Sequence, residues 1–332
     1  MKQPEAKENP AGRAESTRAS DVPEAAPGRK RTRIMIAAGV IALVLAVLGA
    51  GYYKEYVAPL RRVVLTVDAQ DVRMDYFLKR TKLAGGDSMA QLQSMANELV
   101  TKFGAPRYGI SVTADDVEKE LRGRASSGDK PASDDEFKEW YRQQLNEMGL
   151  ADRAYRDIVR TSIMTDRMRT YLQERVPTSG EQLHVFGILA PDADMAAQAK
   201  KLLDAGRDFA EVAAGFSTDP SAERGGELGW VPRGVLDDET EKIVFGLPVG
   251  GVSETVPQQD GVHIYKVTEK AADRKIDDAP LQALKNKALT KWLAEETKQH
   301  TVRYYYDSDT YAWINAKLAK GKPETTTPTP GG

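Results

Sequence analysis

Few side chains of this chain are suited to covalent or metal chemistry. Cysteine is absent, and histidine occurs only three times in 332 residues, as His184, His263 and His300. This inventory excludes thiolate zinc sites, cysteine nucleophiles and disulfide frameworks, and it leaves little material for a histidine-rich metal site or a hydrolase triad. We therefore expect no metal and no cofactor, and any catalysis must need few ionisable groups.

Asp219 and His263 are two polar residues whose local sequence allows more than one interpretation. Asp219 precedes Pro220, so its carboxylate could cap a backbone N–H of a turn, face a substrate, or do both. His263 follows the hairpin signal Asp260-Gly261, on a strand whose alternate positions look core-facing. A packed core histidine is therefore the competing interpretation of His263.

The stretch from Gly206 to Val267 resembles the parvulin family of peptidyl-prolyl cis/trans isomerases. The resemblance depends on several pieces in a fixed order: Gly206-Arg207-Asp208-Phe209-Ala210-Glu211-Val212-Ala213, Phe216-Ser217-Thr218-Asp219, Gly225-Gly226-Glu227-Leu228-Gly229-Trp230, Arg233-Gly234, Phe245-Gly246-Leu247, Gly250 and Gly261-Val262-His263-Ile264. It implies an enzyme that lowers the barrier of about 18–20 kcal/mol to rotation about an amide, which for the bond before proline takes tens to hundreds of seconds. Such catalysis requires no cofactor, because amide resonance weakens when the bond leaves water and meets suitable donors and acceptors.

The family site combines an apolar shelf for the proline ring with two histidines and an intervening cysteine or aspartate. The resemblance implies that Asp219 and His263 are the catalytic polar residues. It also implies that Leu228 and Leu236 line the shelf.

Two substrate-binding positions depart from the family pattern. Gly187 stands where the first histidine would be, and Thr240 stands where a shelf phenylalanine would be. His184 is three residues from Gly187, and side chains of a strand alternate between faces, so His184 is not expected to replace the missing histidine. The departures leave open a second hypothesis: a holdase that grips proline-containing segments without accelerating rotation.

An uncharged apolar run extends from Ile34 to Tyr53, long enough to cross the roughly 30 Å core of a bilayer. The basic cluster at residues 29–33 precedes it, which favours a cytoplasmic N-terminus. We interpret residues 34–53 as an uncleaved transmembrane signal anchor after a disordered cytoplasmic tail (1–33). A buried core helix and a cleaved signal peptide are the alternatives.

The rest of the chain is expected to work outside the cytoplasmic membrane. We predict an α+β architecture: a parvulin-like domain (181–272) inserted in a mostly α-helical, chaperone-like domain (63–176), with C-terminal helices (276–318) that pack on the helical domain and a disordered tail (319–332). The flanking regions resemble SurA- and PrsA-like extracytoplasmic foldases more loosely. The implied partners are unfolded or proline-containing polypeptide clients. The net charge of −2 argues against nucleic acid.

Two local predictions concern single elements. Ser88-x-x-Gln91 is a capping-box pattern, which predicts that Ser88 caps a helix. His300 lies among charged and polar residues near the end of a predicted helix, so it is expected at the solvated surface.

Overall fold

The computed structural model describes residues 28–126 and 130–319, with side chains from residue 34 onward. Helix already begins at Gly28, and the last helix extends to Ala319, so the disorder predicted for residues 28–33 and for Ala319 is wrong. The remaining residues of the two predicted tails lie outside the described part of the chain. The chain divides into two compact units at Leu60 and Arg61, and each is described by itself.

The described residues of the first unit form a single helical run. It consists of α1 (Gly28–Tyr52), a π-helical turn (Tyr53–Val57) and α2 (Ala58–Arg61). The segment Ile34–Arg61 is long and apolar enough to cross a membrane, and none of its most apolar window is buried. The buried core helix considered from the sequence is therefore wrong, because such a helix would be covered by its own protein.

The second unit begins with helices around a small sheet. Its elements are β1 (Val63–Val67), β2 (Gln70–Arg73), α3 (Met74–Leu83), α4 (Ser88–Gly104), α5 (Ala114–Ala125), α6 (Asp134–Met148) and α7 (Asp152–Gln173). The C-terminal elements α11 (Asp278–Thr297), β7 (Val302–Tyr304) and α12 (Ser308–Ala319) pack on these. We call this set the helical part.

A three-stranded antiparallel sheet of order β2-β1-β7 joins the two ends of the helical part. Val64, Leu65 and Val67 of β1 are fully buried, and they share one core with Phe77 of α3 and Ile314 of α12. Residues more than 200 positions apart in sequence therefore depend on each other for burial.

Helix caps explain where several helices begin. Thr113 and Ser133 each form a reciprocal capping box, with Asp116 and Glu136 respectively. The cap predicted at Ser88 is wrong: Asp87 accepts hydrogen bonds from the first N–H groups of α4. The Ser88 hydroxyl instead shares a 2.6 Å hydrogen bond with the Tyr306 hydroxyl.

His300 is not at the solvated surface, because its side chain is only 9% exposed. Its Nδ1 lies 2.7 Å from the Asp68 carboxylate and its Nε2 lies 3.2 Å from Glu296. Glu296 is itself buried and ion-paired with Arg107. The local polarity of the sequence was misleading here, since Asp68 lies 232 positions away along the chain and only Glu296 is a near neighbour.

The segment between α7 and α11 forms a second layered structure, which we call the sheet part. Its elements are β3 (Ser179–Ala190), α8 (Ala193–Asp204), α9 (Phe209–Phe216), a 3₁₀ turn (Pro220–Arg224), β4 (Glu227–Pro232), α10 (Asp238–Gly246), β5 (Val256–Gln258) and β6 (Gly261–Lys275). The antiparallel strand order is β4-β3-β6-β5.

Helices cover both faces of this sheet. Helix α10 packs on one face, against side chains that include Val185 and Tyr265, whereas α8 and α9 pack on the other, against Ile188 and Ile264. Alternation along β3 and β6 sends successive side chains to opposite cores. The sheet part begins and ends at one place, because Ser179 of β3 pairs with Lys275 of β6.

Candidate functional site

The candidate site lies where β3 ends beside β6. Leu189 of β3 pairs with His263 of β6. The backbone oxygen of Leu189 also accepts a 2.8 Å hydrogen bond from the Thr218 N–H, in the loop that leads to Asp219. One strand residue therefore holds both predicted polar groups, His263 and Asp219, at the same end of the sheet.

Asp219 caps the short 3₁₀ turn that follows it. Its Oδ1 accepts a 2.7 Å hydrogen bond from the Ser221 N–H. Contacts with the Ser221 hydroxyl and N–H, together with the field of His263, hold the pKa of Asp219 below its ordinary value. The capping role considered from the sequence is confirmed, and the carboxylate is ionised at neutral pH.

The His263 ring is held on two sides. It stacks on the Tyr265 ring with 5.6 Å between ring centroids and 8° between planes. Its Nε2 lies 3.0 Å from the Asp260 carboxylate, and the side chain retains 15% exposure. This hydrogen bond lowers the pKa of Asp260. His263 is thus neither free at the surface nor a fully enclosed core residue.

Gly187 and Leu228 occupy one spot on the α10 face of the sheet. A Cβ atom at Gly187 would lie 2.8 Å from Cδ1 of Leu228, which means that the leucine rests where a side chain at position 187 would begin. Leu228 is nevertheless 42% exposed, so it presents apolar surface at the site. The backbone of β3 is hydrogen-bonded at this position, because the Gly187 N–H donates a 2.7 Å hydrogen bond to the Gly226 oxygen.

Leu236 lies just before α10, and Thr240 lies within it. Leu236 is partly buried against the core that contains Tyr265. Thr240 is only 1% exposed, so the structure does not bring it to the surface expected for a substrate-binding position. The reason is its place on the inner side of α10, where its hydroxyl accepts a 2.8 Å hydrogen bond from Nε2 of Gln258.

His184 has different partners, at a distance from the site. Its Nδ1 lies 2.9 Å from the Thr268 hydroxyl and its Nε2 lies 3.1 Å from Glu227. Its ring contacts Phe186, on the face opposite α10. Its position is five residues along β3 from that of Leu189 beside His263, about 17 Å at the usual rise per residue. His184 does not replace the histidine missing at Gly187.

Sequence reasoning missed the groups that support His263. Gln258 donates a 3.2 Å hydrogen bond to the Tyr265 hydroxyl, and burial raises the pKa of Tyr265 to about 12, so the phenol stays neutral. Asp260 was assigned only to the turn, although a carboxylate three residues before a histidine across a tight hairpin was the available signal. Among the described residues, no group of three His, Asp or Glu side chains could hold a metal ion.

Comparison with known proteins defines the class of this domain. Residues 190–269 match the Rotamase family, described as a PPIC-type PPIASE domain. Together with the four-stranded antiparallel sheet and its helical layers, this match shows that the chain carries a parvulin-type peptidyl-prolyl isomerase domain.

Beyond that domain, the chain is similar to foldases named PrsA. It is 32% identical over 140 residues to foldase protein PrsA of Geobacillus kaustophilus, covering 41% of this chain and 50% of that protein. Foldase protein PrsA of Bacillus subtilis is 28% identical over 236 residues, which cover 70% of this chain and 76% of that protein. A crystal structure of PrsA from Bacillus anthracis aligns with 25% identity and a TM-score of 0.37, and the alignment covers 69% of this chain and 94% of that one. The chain spans about half the length of the first of these relatives.

Proposed function

We propose that this protein is a peptidyl-prolyl cis/trans isomerase and foldase that assists the folding of secreted or envelope proteins outside the cytoplasmic membrane. The match of residues 190–269 to the PPIC-type family carries the proposal. The meeting of Asp219 and His263 at the end of β3 and β6 supports it. The clients are unfolded polypeptides that contain proline.

In the proposed mechanism, no proton is transferred and no bond is broken. The exposed side of Leu228 takes the proline ring out of water, and Leu236 is the second apolar residue of the proposed shelf. Amide resonance weakens in this less polar setting, because the separated charges of the planar amide lose solvation. His263 then provides a hydrogen-bond donor and Asp219 provides a negative charge, and both favour the twisted amide. Tyr265 and Asp260 keep the imidazole ring of His263 in place.

Two matched histidines give the sharpest test. We expect His263→Gln to lower kcat/KM for isomerisation of a short X-Pro peptide by on the order of tenfold to a hundredfold. His184→Gln is the control, because that side chain is in the same sheet part and has nearly the same exposure, 16% against 15%. The rates of the full chain in detergent are measured beside the uncatalysed reaction. Equal effects of the two substitutions would refute the assignment of His263.

A holdase without catalysis is the second candidate function. The observation that favours it is Leu228 resting over Gly187, which leaves the site without the first histidine of the family pattern. A full chain that suppresses aggregation of an unfolded client but leaves the X-Pro rate at the uncatalysed value would select the holdase. Suppression together with acceleration would select the isomerase.

The arrangement about the membrane is part of the proposal. The helix Ile34–Arg61 would anchor the chain, with the N-terminus in the cytoplasm and everything after the helix outside. The division into a chaperone-like domain (63–176 with 276–318) and a parvulin-like domain (181–272) belongs to the same proposal. A reporter enzyme that is active only outside the cytoplasm, fused to the C-terminus, tests the orientation; activity of a cytoplasmic reporter instead would contradict it.

A further inference from the structure

An apolar cleft separates the start of the sheet part from α11. Its volume is about 510 Å³, within the usual range for ligand sites. Apolar side chains that line it come from the end of α7 and the residues after it, from the residue that follows β6 and from one side of α11; they include Leu172, Val176, Ile276, Leu284 and Trp292. We call this cleft the junction cleft. It is separate from the site at Asp219 and His263, since none of the residues of that site lines it.

Three cations stand around the junction cleft without an acidic partner among the described residues. The Arg175 guanidinium lies 3.5 Å from the centroid of the Tyr171 ring and donates to the Tyr171 backbone oxygen. Lys287 donates to the backbone oxygen of Val235. Lys291 is exposed, and it has no ion pair within the described ranges. All three residues line the cleft, and none of them is ion-paired within the described ranges.

The acids of the rim do not cancel these charges. Glu181 is paired with Arg233 at 2.5 Å, and Glu295 is paired with Lys298 at 2.7 Å. Each acid is already neutralised by a cation other than the three described above. The rim is thus electropositive over an apolar floor, which complements a ligand that combines apolar groups with carboxylates.

The spacing of the cations suits an extended peptide. Lys287 and Lys291 are four residues apart on α11, so their Cβ atoms lie about 5–6 Å apart on one side of the helix. Side chains two residues apart in an extended chain point the same way and are separated by about 6.6 Å. Two acidic residues separated by one residue can therefore meet both lysines at once.

We propose that the junction cleft binds an extended polypeptide segment with the pattern apolar-acidic-apolar-acidic-apolar. The inference deepens the proposed function, on which it rests for the polypeptide nature of the ligand, by adding a second contact that needs no proline. A client held here presents its neighbouring residues close to the sheet part, which raises their effective concentration at the isomerase site.

A proline-free probe separates this cleft from the isomerase site. The fluorescein-labelled peptide Leu-Glu-Val-Glu-Leu and its matched form Leu-Gln-Val-Gln-Leu are titrated with the full chain in detergent, and binding is followed by fluorescence anisotropy. We expect Lys287→Gln with Lys291→Gln to weaken binding of the acidic peptide by about tenfold, as two partly exposed ion pairs allow, and to leave the glutamine peptide unchanged. Lys291→Gln alone should weaken binding of the acidic peptide by about threefold.

Lys119→Gln with Lys201→Gln is the control, since it removes the same charge from exposed positions on α5 and α8. An equal loss in the control variant, or equal binding of the two peptides by the unsubstituted chain, would overturn the inference. The proposed function is measured separately, by the X-Pro rate. A chain that binds the acidic peptide but lacks isomerisation refutes only the isomerase, and one that isomerises without preferring the acidic peptide refutes only the junction cleft.

Discussion

Leu228 and Gly187 define what the candidate site has and what it lacks. The leucine rests against the strand because position 187 has no Cβ, and the contact atom is the far end of a flexible side chain. A larger residue at 187 therefore displaces a methyl group and not the backbone. Glycine at 187 therefore leaves room for the position that Leu228 adopts and provides no polar side chain of its own.

We predict that Gly187→His raises the X-Pro isomerisation rate by on the order of tenfold, because it adds a polar group opposite Tyr265, the residue on which the His263 ring stacks. Gly187→Leu is the control, since it displaces Leu228 without adding a donor or acceptor. Both variants are assayed against the same short peptides. An increase with leucine, or none with histidine, would show that the polar group at 187 is not what limits the rate.

Local patterns in the sequence were informative about some residues and misleading about others. The turn before Pro220 predicted the cap made by Asp219, and strand alternation predicted that His184 and Gly187 face opposite ways. His300 and Thr240 could not be placed from their neighbours, because His300 is hydrogen-bonded to Asp68, 232 positions away, and Thr240 to Gln258, 18 positions away. Contacts of this kind depend on how distant segments meet.

At the scale of single elements, α4 depends on a cap that comes one residue before the predicted one. Asp87→Ala should lower the free energy of unfolding by about 1 kcal/mol, since two N–H groups of the first turn lose their acceptor. Asp87→Asn retains an acceptor and should be close to neutral. Urea unfolding measures both. A loss of equal size in the two variants would mean that the charge, and not the cap, is responsible.

Helix α5 is joined to α7 by one carboxylate. Arg167 and the N–H and hydroxyl of Thr113 all donate to Asp116, and they hold its pKa far below the usual value of 3.8. A lowered pKa in the folded state stabilises the protein above the unfolded pKa, and this contribution is lost as pH falls through the folded pKa. The stabilising effect is therefore fully present at neutral pH and declines only in acid.

The prediction concerns the slope of stability with pH. Between about pH 5 and pH 2, the free energy of unfolding should fall less steeply in Asp116→Asn than in the unsubstituted chain, and the variant should be less stable at pH 7. The exposed neighbour substitution Asp115→Asn should retain the original slope. Urea titrations at several pH values provide the comparison, and parallel slopes for the unsubstituted chain and Asp116→Asn would contradict it.

Helices of this protein were more predictable than its short strands. The capping boxes at Thr113 and Ser133 and the end of α6 at Gly149 follow from residues a few positions apart. The strands β2, β4 and β7 were not predicted. Each has six residues or fewer, and its extended conformation depends on pairing with a neighbouring strand. For β7 that neighbour is β1.

At the scale of the whole molecule, the sheet part is attached through paired strands. Ser179 and Lys275 are neighbours, and the Ile276 N–H donates a 2.8 Å hydrogen bond to the Thr178 oxygen. Replacement of residues 180–274 by Asn-Gly should therefore leave the helical part folded, because a two-residue turn closes such a pair. Circular dichroism and urea unfolding of the shortened chain measure this, and loss of its cooperative transition would contradict it.

Deletion of residues 276–318 is the matched comparison. It removes β7, α12 and α11, which contribute Trp292 and Ile314 to the cores of the helical part. We expect the cooperative unfolding of the helical part to be lost, while the sheet part keeps its own transition. A melting profile that the deletion leaves unchanged would show that the C-terminal elements do not complete the helical part.

The paired strands at Ser179 and Lys275 also have an evolutionary consequence. A gene that gains, loses or exchanges the codons between them preserves the geometry on either side, because the two cut ends stay next to each other. The sequences of the sheet part and of the helical part can then diverge at different rates. In one recombination event, such a gene can lose the sheet part and keep the helical part. It can equally acquire a sheet part that prefers a different residue before proline.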